Sequence, residues 1–478
     1  MVFSSITFLF YFLPTFYAAF SLARFSKIVI LVFSLIFYAW GELVFLPLVL
    51  IMISLNYLFG LRIANGLATG TARRWLGVAI VVNLLPLLFF KYAMFLLGIV
   101  RPVIDPLSLK LFGTRLLPDP AFSLPLPLGI SFYTFHALSY LIDVFRRDVK
   151  AERSLRDLAV YTLMFPQLIA GPIIRYKTIA GELHNPVITP ERVALGIQIF
   201  IVGLAQKVLI ANTVAVPADA IFSLAPEQVS MSLAWLGIVC YTVQIYFDFS
   251  GYSTMAIGLA LMIGFTFPLN FNYPYSSQSM TEFWRRWHMS LSAWFRDYLY
   301  VPLGGNRISP LRTYLNLCIV FLLCGLWHGA SWNFVLWGAA HGLLLVGERM
   351  GFGEVLARAP RLLRHVYVMV AVMMTWVLFR VETLFQANIY FRTLFGFGAD
   401  PVSAMPLAHY FGQDVMLALA VGAAAAGPWG VRAITAVNQR LVVGGIEPAR
   451  LLVLGLLLLA SSFSLAAGSY NPFIYFRF

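Results

Sequence analysis

The 478 residues predict an all-α polytopic integral membrane protein, a helical bundle with re-entrant and interfacial helices, and three observations predict it. First, 60% of the residues are hydrophobic, 16% aromatic and only 11% charged, with a mean hydropathy of +0.83. That leaves too little polar surface to cover a soluble globule, so the bilayer must be the solvent. Second, apolar runs recur along the whole chain. Third, the basic residues behind the net charge of +13 lie mostly between those runs, where anionic head groups would meet them. A soluble protein with this charge would suggest nucleic acid; here no nucleic-acid partner is expected, and membrane lipid is.

In chain order the runs are Ile28–Trp40, Leu43–Leu61, Val78–Val100, Leu126–Phe145, Val193–Val214, Met231–Phe247, Tyr252–Phe267, Tyr314–Trp327, Phe334–Val346, Val366–Phe379, Val415–Ala426 and Leu451–Leu465. With Val2–Leu22 in front, and ~20 residues per span, they predict roughly 11 to 13 membrane segments. Val2–Leu22 lacks a basic leading region and an obvious cleavage site and carries Pro14 in mid-run, so it reads as a retained first span. No repeat or long linker divides the chain, which reads as one membrane-embedded domain, 1–478.

Basic clusters at Arg24 and Lys27, at Arg62, Arg73 and Arg74, and from Arg146 to Arg156 follow alternate runs. They place those loops in the cytoplasm and Arg101–Ser123 outside. Phe165-Pro-Gln-Leu-Ile-Ala-Gly-Pro172 interrupts an apolar stretch with two prolines and a glycine. Such backbone is tolerated at membrane depth where it is buried or lines a cavity, so a broken helix beside a site and a simple kink both fit. Asn270-Phe-Asn-Tyr-Pro-Tyr275 reads as a loop at the membrane surface.

His328 sits in Cys324-Gly-Leu-Trp-His-Gly-Ala-Ser-Trp-Asn333, with no formal charge between Arg312 and Glu348. An ionisable ring at such depth is costly and points to function, and a neutral imidazole can accept a hydroxyl proton near physiological pH. Gly325 and Gly329 are spaced for close helix approach beside it. A second stretch, Met280 to Asn306, places Trp284, Trp287, Leu291, Phe295 and Tyr298 on one helical face and Arg285, Ser292 and Arg296 on the other. This is an interfacial-helix pattern, with aromatics toward the acyl boundary and arginines toward phosphates. His288 falls at the edge of the aromatic face; the residues alone favour an interfacial anchor over an active group. His341, between Gly338 and Gly342, fits helix packing.

His136, His184, His365 and His409 have no supporting constellation, and Cys240, Cys318 and Cys324 have neither metal-ligand nor disulfide-framework spacing, so no metal is expected. Asp248, in Tyr246-Phe-Asp-Phe-Ser-Gly251, is a carboxylate in apolar sequence and is either paired or lining a polar channel.

Trp284-Arg-Arg-Trp-His288, Phe295-Arg-Asp-Tyr298, Pro302-Leu-Gly-Gly305 and Trp327-His-Gly329, in that order, resemble the membrane-bound O-acyltransferase superfamily and within it the bacterial alginate O-acetylation branch. Met1-Val-Phe-Ser-Ser5, Pro127-Leu-Gly-Ile-Ser131, Phe165-Pro-Gln167 with Gly171-Pro172, Tyr246 to Gly251 and Asn471-Pro-Phe-Ile-Tyr-Phe-Arg-Phe478 extend the likeness over essentially the whole chain. The resemblance implies a helical bundle of that family's type, His328 as the catalytic histidine and His288 as the second active-site histidine. It further implies an acyl thioester such as acetyl-CoA as donor substrate with no bound cofactor, an extracytoplasmic polysaccharide as final acceptor, a periplasmic acetyltransferase partner and the inner membrane of a bacterium. Asp248, Trp287, Trp327 and Arg285 are the candidates for the substrate channel, which should run from the cytoplasmic face to His328. Two other readings remain: D-alanyl transfer to teichoic acid, and a polytopic transporter, which should show paired repeats that are not found in this sequence.

Overall fold

The computed structural model describes all residues except 113, 120–123, 169–170, 399–405, 429–445, 469, 473 and 475–478; much of the closing motif 471–478 therefore lies outside the described residues. Every regular element among the described residues is helical. Among the described residues seven helical runs are long and apolar enough to cross a bilayer: Lys27–Thr69, Ala72–Phe112, Pro190–Phe222, Met231–Met262, Pro310–His328, Arg361–Arg380 and Pro448–Ala466. Three shorter apolar helices, Thr7–Leu22, Ile130–Phe145 and Gln413–Ala425, accompany them. Two runs expected as separate segments of ~20 residues form one helix, Met231–Phe247 continuing into most of Tyr252–Phe267 over 32 residues. Ile28–Trp40 and Leu43–Leu61 stay two segments within the run Lys27–Thr69: the helix breaks at Glu42, with φ −147° and ψ 51°, and the chain doubles back, so that Lys27 and Tyr57 both reach the stretch 153–157, at Asp157 and at the Arg153 carbonyl.

The helices named below are α1 (Leu13–Leu22), α2 (Lys27–Glu42), α3 (Leu46–Thr69), α4 (Ala72–Leu87), α5 (Ala93–Phe112), α6 (Ile130–Phe145), α7 (Leu155–Leu163), α8 (Tyr176–His184), α9 (Pro190–Ala205), α10 (Asn212–Phe222), α11 (Met231–Met262), α12 (Met280–Arg286), α13 (Met289–Phe295), α14 (Pro310–His328), α15 (Trp332–Gly347), α16 (Gly353–Arg358) and α17 (Arg361–Arg380). A π-turn, Leu88–Tyr92, joins α4 to α5.

α11 is apolar all round and forms the centre, packed on α9 and α10. Gly196 faces Gly258 and Gly203 faces Gly251, so the α9 and α11 backbones lie close enough that a Cβ at any of the four would strike the opposite carbonyl oxygen at 2.6–2.8 Å. On the outside, Leu22, Leu43, Val44, Phe112, Leu343 and Leu362 are exposed. In water that surface would drive aggregation; in a bilayer it meets acyl chains.

Two expectations are corrected. The aromatic stretch after Met280 is not one interfacial helix: α12 ends at Arg286, His288 adopts a left-handed φ of +43°, and α13 begins at Met289. Its apolar face turns into the protein, with Trp284, Trp287, Leu291, Phe295 and Tyr298 all buried. Trp287 packs on Trp376 at 5.0 Å and Trp284 on Phe321 at 4.9 Å. The loop before it is not simply at the surface either, since Asn270 and Tyr275 are buried. The Phe165–Pro172 stretch, of which 169–170 are not described, lies in non-helical backbone between α7 and α8. Phe165 is buried against Phe12, Phe16 and Phe37, and Ile173 N–H donates to Ser290 Oγ at 2.9 Å, so this backbone is covered by protein.

Candidate functional site

The site is built where the C-terminal end of α14 meets the kink before α13. His328 is the last residue of α14 and Gly329 its cap, in extended conformation at φ −166°. α14 and α15 pack so closely that a Cβ at Gly325 would lie 2.2 Å from the Phe334 carbonyl oxygen, and one at Gly338 equally close to that of Phe321. Gly329 instead makes room for the Phe334 ring. The His328 imidazole is walled edge-on by Trp327, Trp337 and Phe379 at 4.9, 5.1 and 5.1 Å. Among the described residues its ring has no hydrogen-bond partner, and it borders a cavity of about 20 Å³ shared with Ile245, Phe249, Trp287, Trp376, Phe379 and Ile474.

His288 is fully buried 6.2 Å from the Trp327 ring, with Phe249 edge-on to it at 4.7 Å. Its Nδ1 lies 3.0 Å from Asn270 Oδ1, which also accepts from the backbone N–H and the hydroxyl of Ser290. The peptide N–H can only donate, so it fixes the carboxamide with its oxygen toward the histidine; Nδ1 then carries the proton and Nε2 the lone pair. The left-handed turn at His288 is thus held by the same oxygen that orients its ring.

Two larger cavities flank this centre. One, of about 940 Å³, is lined by Lys91, Arg101, Gly329, Ser331, Arg380 and Glu382 among others. The second, of about 250 Å³, is lined by Arg285, Arg296, Leu317, Cys324, Leu345 and Arg349 among others. α14 and α15 are antiparallel neighbours, and Gly329 and Phe334 line the first cavity while Leu317 and Leu345 line the second, so the two open toward opposite ends of the helix pair. Phe379 separates the large cavity from the small space at His328, lining both. Trp284, on the wall of the second, packs edge-on at 5.8 Å against Trp337, on the wall of the His328 space. The expected channel is therefore divided by aromatic side chains.

Of the residues expected from sequence, Trp287 and Trp327 join the two histidines, Trp287 lining the His328 space and Trp327 standing between the imidazoles. Arg285 is exposed at the second cavity, away from the imidazoles. Asp248 is an ion-pair partner: its Oδ1 is 2.6 Å from Lys207 Nζ, both side chains are buried, and Oδ2 accepts from Ile474 N–H at 2.9 Å. Lys207 also donates to Asn212 Oδ1 at 2.6 Å and to the Pro472 carbonyl, while Asn471 Nδ2 donates to the Ser4 carbonyl at 2.7 Å. The pair thus anchors the segment that brings Ile474 to the His328 space. His341 Nδ1 accepts from Trp284 Nε1 at 3.2 Å, and His136 Nε2 accepts from Ile174 N–H at 3.3 Å, so both brace neighbouring elements.

In the sequence Asn270 reads only as part of a loop and Glu348 only as the end of a charge-free stretch, and no motif there points to Lys91 or Lys207. Glu348, buried, accepts the N–H groups of Met280 and Thr281 at 2.6 and 2.9 Å, placing an anion at the N-terminus of α12. The signal that marked His328, an ionisable group inside an apolar run, is equally present at Lys91 and Lys207.

The membrane-bound O-acyltransferase family matches residues 129–386, which include both histidines. The chain is 42% identical to the probable alginate O-acetylase AlgI of Azotobacter vinelandii over the full length of both proteins. It is 33% identical to the peptidoglycan O-acetyltransferase of Helicobacter pylori over 81% of this chain and 78% of that one. To the teichoic acid D-alanyltransferase of Bacillus subtilis it is 30% identical over only 46% of this chain and 58% of that one. The chain belongs to the membrane-bound O-acyltransferase family, and it is a multi-pass membrane O-acyltransferase.

Proposed function

We propose that this enzyme moves an acetyl group from a cytoplasmic acyl thioester, of which acetyl-CoA is the model, toward a hydroxyl of an extracytoplasmic polysaccharide such as alginate, in the inner membrane of a bacterium. The observation that carries the reading is the place of His328 at the end of α14, between cavities that open toward opposite ends of the helix pair. In the transfer the acceptor hydroxyl attacks the thioester carbonyl carbon and gives its proton to the His328 imidazole. The tetrahedral intermediate then collapses with loss of the thiolate, which takes up a proton. Histidine suits this task because it is the side chain whose ordinary titration lies near neutrality. His288, ordered by Asn270, is placed to orient a reactant or to respond to the charge that develops on the carbonyl oxygen. No metal and no bound cofactor enters this scheme.

Sidedness follows from charge and solvation. The basic cluster Arg146 to Arg156 marks the cytoplasmic face, and Arg146 donates to the Asp297 carbonyl beside the helices lining the smaller cavity. The smaller cavity, with Arg285, Arg296 and Arg349, is then the donor side, where guanidinium groups would meet a phosphate-bearing thioester. The larger is the acceptor side, open to the polymer or to a periplasmic acetyltransferase that relays the group. Passing a small acyl group through a protein-lined path costs less than carrying a charged donor through hydrocarbon. The relatives whose match extends over most of the chain are named for alginate and peptidoglycan, which favours a polysaccharide acceptor over D-alanyl transfer to teichoic acid.

The test is acetyl transfer in sealed, oriented vesicles. Donor on the cytoplasmic face alone should support acetylation of acceptor, with its partner, on the other face. His328→Ala should insert normally yet lose ~10²–10⁴ in rate, equivalent to roughly 3–5 kcal/mol of barrier. His288→Ala should also lose activity, whereas His365→Ala should not. Near-normal transfer by a well-expressed His328→Ala protein would remove the base, and a requirement for both substrates on one side would remove the relay.

A further inference from the structure

A helix leaves its last four carbonyls without intrahelical partners, and a buried helix end must find donors for them. At the end of α14 one carbonyl, that of Gly325, accepts from Gly329 N–H at 3.2 Å. The next two are met from a distant part of the chain: Tyr92 Oη donates to the Leu326 carbonyl at 2.7 Å and Lys91 Nζ to the Trp327 carbonyl at 2.5 Å. Both donors sit on the π-turn Leu88–Tyr92. On a regular α-helix consecutive side chains diverge by ~100°, and the local widening of a π-turn is a device found often at functional sites.

Lys91 Nζ also reaches Ser131 Oγ at 3.3 Å and lies 6.0 Å from the centre of the Trp327 ring. It faces the large cavity together with Arg101, Arg380 and Glu382, and no described carboxylate forms an ion pair with it. A lysine inside an apolar membrane run whose contacts are a helix-end carbonyl and a hydroxyl is costly as mere scaffolding.

We propose that Lys91 and Tyr92 are positioning residues for the acyl-transfer site: they clamp the Trp327 and Leu326 carbonyls and so hold the final turn of α14, and with it the His328 imidazole, in reacting geometry. The proposal rests on His328 being the base. A lysine at a helix C-terminus also matches the sign of the helix dipole there. A displacement of about 1 Å at a reacting group can cost ~10²-fold in rate, and this clamp prevents one.

The test uses the full chain in vesicles, acetyl-CoA as the donor probe and the wild-type rate as reference. Lys91→Met keeps the length of the side chain and removes its donors; kcat should fall about 10–100-fold, with KM for donor changed by no more than about twofold. Tyr92→Phe should lower kcat by roughly 3–10-fold, and Lys91→Arg should recover most of what Lys91→Met loses. In the His328→Ala background Lys91→Met should add little further loss, because residues that act as a unit are not additive. A normal kcat in Lys91→Met, or a raised KM with kcat unchanged, overturns the proposal, as does a matching fall of kcat and melting temperature in all three variants. If Lys91→Met does not fold, Tyr92→Phe and Lys91→Arg decide by the same readouts. His328→Ala separates the two failures: activity retained there sinks the base itself, whereas activity lost there with Lys91→Met unaffected sinks only the clamp.

Discussion

Asn270 Oδ1 stands 3.0 Å from His288 Nδ1, and the same oxygen accepts from the peptide N–H of Ser290 two residues further on. One atom therefore sets both the kink between α12 and α13 and the tautomer of the histidine at the kink.

Asn270→Ala removes that acceptor, takes the orienting oxygen from the His288 ring and leaves the Ser290 N–H without it, at about 1–3 kcal/mol for the lost buried hydrogen bond. Acyl transfer should fall at least ~10-fold, with a loss of stability visible in the melting temperature. Asn270→Asp, which keeps an acceptor oxygen, should retain more activity than the alanine variant. The two variants, assayed side by side, check the role of the oxygen.

Gly325→Ala adds a single methyl group, but one that would sit 2.2 Å from the Phe334 carbonyl oxygen. Backbone cannot retreat as a side-chain tip can, so α14 and α15 must separate. The expected outcome is a folded, membrane-inserted protein with strongly reduced transfer and a lowered melting temperature, while Gly455→Ala, where a Cβ meets open space, should behave as wild type.

Asp248→Asn should be among the most destabilising substitutions, because it leaves the Lys207 amino group buried without its carboxylate. Breaking one side of a buried pair costs about 3–5 kcal/mol. Adding Lys207→Met should restore part of the loss in a thermal or detergent unfolding assay. Activity should return less fully than stability, since the Lys207 contact to the Pro472 carbonyl is still missing.

Asp297 supplies a pH dependence. Burial opposes its ionisation, but hydrogen bonds and charge from Arg296 and then Arg175 outweigh burial and hold the carboxyl below its ordinary range. A group depressed in the folded state contributes stability that is fully present above its unfolded value, about 3.9, and fades as pH falls through the lower folded value. Acidification from pH 6 to pH 3 should lower the melting temperature of the wild type, and Asp297→Asn should flatten the part of that slope owed to this residue. An unchanged slope would show that the Arg175 and Arg296 contacts do not couple to folding.

The membrane class and the burial of His328 in apolar surroundings were legible in the sequence, because one rests on composition and the other on an ionisable residue in a charge-free run; His288 was marked by the family resemblance and not by its neighbours. The division into segments was legible only in part, because apolar length alone cannot tell two helices from one: Ile28–Trp40 and Leu43–Leu61 turn back on each other at Glu42, whereas Met231–Phe247 and most of Tyr252–Phe267 form a single helix. The aromatic stretch 284–298 was read as facing lipid, since periodicity shows that residues share a face but not what covers it. Asn270 escaped for a different reason. An asparagine beside Pro268 and Pro274 looks like turn chemistry, and only the fold shows that its oxygen serves a residue 18 positions away. Lys91 and Lys207 were overlooked inside apolar runs to which the rule applied to His328 applied equally.

The stitch between Asn471 and Ser4 joins positions 467 apart in the chain, and Ile474 then completes the wall beside His328. During synthesis His328 enters the membrane well before that wall exists. At about 5–20 residues per second the ribosome needs roughly 7–30 s to travel from codon 328 to codon 474. Throughout that interval the imidazole lacks one of its neighbours, and the nascent enzyme is inserted but unfinished. Closure of the pocket is thus a late event in synthesis, and the enzyme becomes competent only after residue 474 has been made and has reached the wall beside His328.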